Sequence, residues 1–194
     1  RQSIIRFSTT WEAGYSKGDW RDLLGETDLA LWARADWLRN QTIFFKASMG
    51  GGWRTTMPFQ LSLGGRGGVR SLRDDEHPGG TRLLLVLEDR IQFGWPSWRT
   101  LGLGATLFAD AGQVWKGDVP YGADTDWVGS VGFGLRIALP AESRTIWRPE
   151  IVFPVGHDGS PIFRVTFEVN RIRFLGGTSR MADARRFRRG IEAY

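Results

Sequence analysis

Gly129-Ser130-Val131-Gly132-Phe133-Gly134-Leu135-Arg136-Ile137-Ala138-Leu139 changes character at every step. Val131, Phe133, Leu135, Ile137 and Leu139 share one parity, and Ser130, Gly132, Gly134 and Arg136 share the other. A period of two is the mark of an extended strand with two unlike faces. Working outward, the pattern recurs. Leu83, Leu85, Leu87, Ile91 and Phe93 oppose Glu88, Arg90 and Gln92; Leu101, Leu103, Ala105, Leu107 and Ala109 oppose Thr106, Phe108 and Asp110. Phe163, Val165, Phe167 and Val169 oppose Arg164, Thr166, Glu168 and Asn170. Weaker alternation runs through Ile5 to Tyr15 and Leu29 to Trp37, and the segments 42–49, 57–64 and 147–155 complete the set, with Gly18 to Thr27 read as a long connection where a turn is expected. The chain is therefore expected to be all-β and antiparallel, with about nine strands, close to the ~9–11 residues each that cross a bilayer at a tilt.

Composition narrows the setting. The longest aliphatic run is Leu83-Leu84-Leu85-Val86-Leu87, far short of the ~20 residues of a membrane helix. A hydrophobic content of 41% and a mean hydropathy of −0.28 remain compatible with a barrel, because its strands alternate lipid-facing and lumen-facing side chains. Seven of the ten tryptophans (Trp20, Trp53, Trp95, Trp98, Trp115, Trp127 and Trp147) fall at strand ends or in connections, where membrane barrels carry aromatic girdles. A soluble β-sandwich, with its charged faces in water, is the competing reading. Cysteine is absent, which excludes a disulfide framework and thiolate metal sites.

The net charge is +5. From Arg171 onward seven arginines face only Asp183 and Glu192, so the excess lies in the last residues and the body upstream is neutral. A neutral body argues against a nucleic-acid partner. The expected organisation is a barrel portion over 1–172 and a basic tail over 173–194. Bacterial single-chain barrels have even strand numbers, and the chain opens Arg1-Gln2-Ser3-Ile4 without an initiator Met. A fragment or processed product is expected, with further strands upstream.

Two short stretches stand out. One is Leu63-Gly64-Gly65-Arg66-Gly67-Gly68-Val69-Arg70 in a glycine-rich loop, and the other is Phe108-Ala109-Asp110-Ala111-Gly112 on a strand. The first lacks the Lys-Ser/Thr of a phosphate loop, so on its own it reads as a flexible hairpin connection. Asp110, however, lies on the lumen parity, and the arginine fork suits a carboxylate. A loop folded back into the lumen would join Arg70 to Asp110. His77 and His157 have no partner at metal-ligand spacing, no Ser, His and acid arrangement stands out, and neither an enzyme nor a cofactor or metal site is expected.

These stretches resemble the outer-membrane assembly and translocation barrels, the superfamily of BamA/TamA-like insertases, the surface-antigen domain and the two-partner secretion translocators. Its signature is Val-Arg-Gly-aromatic after Gly-Gly on a long loop, and Phe-x-Asp-x-Gly two strands later. Gly64, Gly65, Val69 and Arg70 match the first motif, with Ser71 in place of glycine and Leu72 in place of the aromatic; Phe108, Asp110 and Gly112 match the second. The loss of the aromatic leads to the expectation of a more loosely anchored loop. Between the motifs a strand carries Glu88, as in the family. The resemblance implies the last nine strands of a 16-strand transmembrane barrel in the bacterial outer membrane, an Arg70–Asp110 pair, and lumen-facing Glu88, Arg90, Arg136, Arg164 and Glu168. It also implies a role in inserting or folding outer-membrane proteins, with the lipid bilayer, unfolded outer-membrane or secreted proteins and periplasmic domains as partners. A secretion pore or an anchor for an attached enzyme domain would share the same motifs. The edge of such a barrel is its last strand, 162–170. The tail, with Arg185, Arg186, Phe187, Arg188 and Arg189, departs from family members that end on an aromatic residue.

Overall fold

The computed structural model describes residues 3–34, 40–56, 60–64, 68–74, 76–93, 100–119, 122–141, 143 and 145–169. The tail over 173–194, Gly65, Trp95 and Trp98 lie outside the described residues. Among the described residues ten strands follow one another: β1 Ser3–Ser16, β2 Asp19–Arg34, β3 Gln41–Trp53, β4 Leu61–Ser62, β5 Pro78–Gly79, β6 Thr81–Gln92, β7 Gly102–Trp115, β8 Val128–Ala138, β9 Thr145–Val155 and β10 Ile162–Val169. The chain is all-β, and eight of the strands form one antiparallel sheet in the order β1-β2-β3-β6-β7-β8-β9-β10. Among the described residues β1 and β10 are not paired with each other, so the sheet has two edges.

Parity builds the sheet. Every register from β2 through β10 pairs odd with odd and even with even, so one set of side chains stays on one face across seven strands. Odd positions carry the apolar residues and point outward: Phe133 is 48% exposed and Leu107 54%, with Phe153, Phe163 and Phe167 beside them in the open. Even positions carry most of the charges and point inward, where Glu88 and Glu150 are each 2% exposed; Asp89 of β6 is an exception on the odd parity. This is the reverse of a water-soluble sandwich, in which charge faces out.

The even face is concave. Arg90 on β6 lies 3.4 Å from Glu168 on β10, although four strand spacings, about 19 Å along the sheet, separate their backbones. Two side chains cannot span that distance on a flat sheet. Strong curling, in the sense that sheet twist favours, brings them together.

Two expectations about connections need correction. The described part of the segment 57–64, from Gln60 on, is not a ninth strand of the sheet: it supplies β4, which pairs with β5 inside the long β3–β6 connection. Leu61 and Leu63 are buried, so their alternation reflects a loop with one covered side. The stretch from Gly18 to Thr27 is not a long connection either. β1 and β2 meet at Lys17-Gly18, both with positive φ (53° and 82°), which is the type I′ hairpin turn that matches strand twist. With these changes the connections 35–40, 93–101 and 139–144 share one end of the sheet, while the two longest (54–80 and 116–127) share the other with the Lys17-Gly18 turn and 156–161.

Tryptophans mark both ends. Trp20, Trp53, Trp115 and Trp127 sit at the long-loop end, at the termini of β2, β3 and β7 and immediately before β8. Trp147 sits at the other end on β9, its ring centroid 5.1 Å from that of Phe167.

Candidate functional site

The β3–β6 connection folds onto the concave face. Leu63, Val69 and Leu72 pack with Leu84 and Val86 of β6, Val114 of β7 and Val128 of β8, and Phe44 borders the cluster. All four strand residues are even-numbered, an apolar patch on the otherwise charged inner face. Covering three loop side chains this completely contributes about 1.5–3 kcal/mol each, enough to hold a long loop in place. Backbone bonds shape it: Val69 N–H donates to Leu63 O at 2.8 Å, and Leu63 N–H to Glu76 O at 3.1 Å.

Glycines make the close approaches possible. A Cβ on Gly112 would sit 2.7 Å from Leu63 Cδ2 and 3.3 Å from Val69 Cγ2, so this strand glycine is the slot into which the loop core fits. A Cβ on Gly64 would strike the Arg73 carbonyl.

The two departures from the motif, of which the lost aromatic led to the expectation of a looser loop, each make a contact that holds it. Ser71 Oγ donates to Gly129 O at 3.1 Å, and Leu72 is buried in the loop core.

Arg70, next to this core, is the hub of the inner face. Its backbone N–H donates to Asp110 Oδ2 at 3.0 Å and its Nη1 lies 3.2 Å from Asp110 Oδ1. Its Nη2 pairs with Glu88, its Nε is 3.9 Å from Glu150 Oε2, and its guanidinium lies over the Phe108 ring, 4.0 Å from the centroid. Asp110 is further held by Ser130 Oγ at 2.7 Å. Phe108 and Asp110 thus serve the same side chain, one through its π face and the other through charge.

The remaining predicted charges join this cluster. Glu88 also pairs with Arg90 at 2.7 Å and Arg148 at 3.1 Å. Glu168 accepts from Arg136 at 2.9 Å and Arg148 at 3.2 Å, with Arg90 at 3.4 Å. Arg164 lies 3.8 Å from Glu150 and donates to Arg70 O at 3.2 Å. Arg148 and Glu150, 2.6 Å apart, were not singled out in the sequence, although their even numbers beside Trp147, Ile151 and Phe153 place them on the same face. Five guanidinium groups therefore face four carboxylates across strands β6 to β10 and the loop. Buried pairs of this kind add little net stability over an apolar core, but they punish any arrangement that leaves a member unpaired. The arrangement can fix geometry.

Replacing Leu63 by Asp should free the loop while leaving the sheet intact, because an unpaired carboxylate in this apolar nest costs several kcal/mol. Faster tryptic cleavage after Arg73, with unchanged β-sheet circular dichroism, is the expected result.

Comparison with protein-family models gives no match, nor does comparison with curated proteins or with solved structures.

Proposed function

We propose that this chain is part of a transmembrane β-barrel of the bacterial outer membrane that belongs to the assembly and insertion machinery, and that it forms eight of sixteen strands. The observation that carries the reading is the inverted polarity of the sheet, with exposed phenylalanines and leucines outside and a clasped, charge-lined loop inside. Lipid is the solvent that suits the outer face, and the tryptophans at the two strand ends sit where a bilayer's interfaces would lie. In lipid an unpaired strand edge costs several kcal/mol per backbone group, so β1 and β10 require further strands as neighbours.

The motif resemblance adds the role. A barrel whose inner face is braced by Arg70 can keep its wall rigid while the seam beside β10 yields to an incoming strand, and no chemistry is needed. Periplasmic domains would deliver unfolded clients to that seam.

The test is reconstitution of the full-length protein into lipid vesicles, followed by addition of a urea-unfolded eight-strand outer-membrane barrel. Folding several-fold faster than in empty vesicles is expected. Equal folding rates with the protein correctly embedded would remove the insertion role, and recovery of the protein in the soluble fraction without detergent would remove the membrane reading itself.

A further inference from the structure

β10 has β9 as its paired neighbour in the described sheet. A strand bonded on one side presents an open row of backbone groups on the other, so its lean toward the concave interior depends on what its inward side chains hold. Two of them reach beyond β9. Arg164 donates to the carbonyl of Arg70 and so belongs to the loop clasp. Glu168, four residues further and nearer the end opposite the long loops, is bound by Arg136 of β8, Arg148 of β9 and Arg90 of β6. Its carboxylate is the point where three strands converge on the edge.

On the barrel reading, on which this rests, we infer that Glu168 is a latch for the edge strand. It is a positioning residue whose carboxylate, shared among three guanidinium groups, keeps β10 curled inward and sets how often the seam beside it opens. Removing the negative charge does more than delete three attractions. Arg90 and Arg148 retain Glu88, but Arg136, whose carboxylate partner among the described residues is Glu168, is left facing two other cations. Like charges gathered around one carboxylate, partly shielded from water, repel once it is gone, and the strand that can give way is β10, which among the described residues is paired on one side alone. The loop clasp at Arg70 is untouched by this change, so opening should be local.

Hydrogen–deuterium exchange on the full-length protein in lipid vesicles tests the inference. Glu168→Gln should speed exchange of the β10 amides tenfold or more, leave β6 to β8 at wild-type rates and barely move the thermal midpoint. Arg136→Gln should act in the same direction with a smaller effect, and it serves if the first variant does not fold. Thr166→Ser, on the same strand and face, should exchange as wild type. Unchanged β10 exchange in both charge variants, or equal acceleration in every strand, would overturn the latch while leaving the barrel reading standing. Failure of the wild-type protein to enter the bilayer would overturn both.

Discussion

Alanine in place of Arg70 is expected to abolish function and release the β3–β6 loop from the concave face while the eight-stranded sheet still forms. The reason lies in what remains behind. Asp110 and Glu88 would keep their burial and lose the guanidinium that both share, and breaking a buried ion pair by deleting one member costs about 3–5 kcal/mol. The cation over Phe108 is lost as well, a further ~1–2 kcal/mol at a desolvated site. The loop's own apolar core offsets part of this, so release is expected to be partial in the cold and complete on warming. Lysine should not rescue, since one ammonium cannot serve Asp110 and Glu88 while lying flat on a ring. Asp110→Ala should act in the same direction with a smaller effect, because Glu88 and Glu150 continue to hold Arg70. Protease accessibility of the loop reads its position, and growth on the variant as sole copy reads function. Normal activity in both variants would exclude the clasp from the mechanism.

Gly132→Ala is the second large effect expected, and it comes from a residue that carries no charge. A Cβ at this position would strike the Ile151 carbonyl on the neighbouring strand and lie 2.5 Å from Cζ of Phe108. One conflict is with backbone and the other with the ring beneath Arg70, so neither relaxes by a simple rotamer change. Overpacking of this kind costs about 1–3 kcal/mol, and here the strain passes directly to the clasp. A drop in the thermal midpoint together with loop release is expected. If stability falls while the loop stays protected, the Phe108 ring is not the support proposed for Arg70.

How far the sequence told this in advance depends on the residue type. Wherever one parity stays apolar while the other carries charge or small residues, as in β8, β10 and the second half of β6, both the strand and its two faces could be read. Asp110, Glu88 and Glu168 were legible for that reason. The beginning of β2 was not, because Leu23-Leu24 breaks the alternation and Asp22 takes a positive φ (53°), while the register slips between Glu12 and Gly14. The 57–64 segment misled for the opposite reason. It alternates well, yet its apolar members Leu61 and Leu63 are buried inside a connection, and period two cannot distinguish a strand from an extended loop with one covered side. Gly132 is invisible to pattern: a glycine at a polar-face position reads as neutral filler until the ring across from it is known. Its meaning lies in a contact between β7 and β8.

The shared parity of the seven strands from β2 to β10 has a genetic consequence. An exchange of one side chain for another leaves the inside-outside assignment of its neighbours untouched, but one added or deleted codon within a strand turns the rest of that strand over. In β9 such a change would carry Arg148 or Glu150 to the outer surface and bring Ile151 or Phe153 into the ionic cluster. Variation in length is therefore expected to collect at Lys17-Gly18 and in the 116–127 and 156–161 connections, with almost none inside 81–92 or 145–155. A library of single-codon insertions should show this as a periodic map of tolerance, open at the joints and closed along the staves.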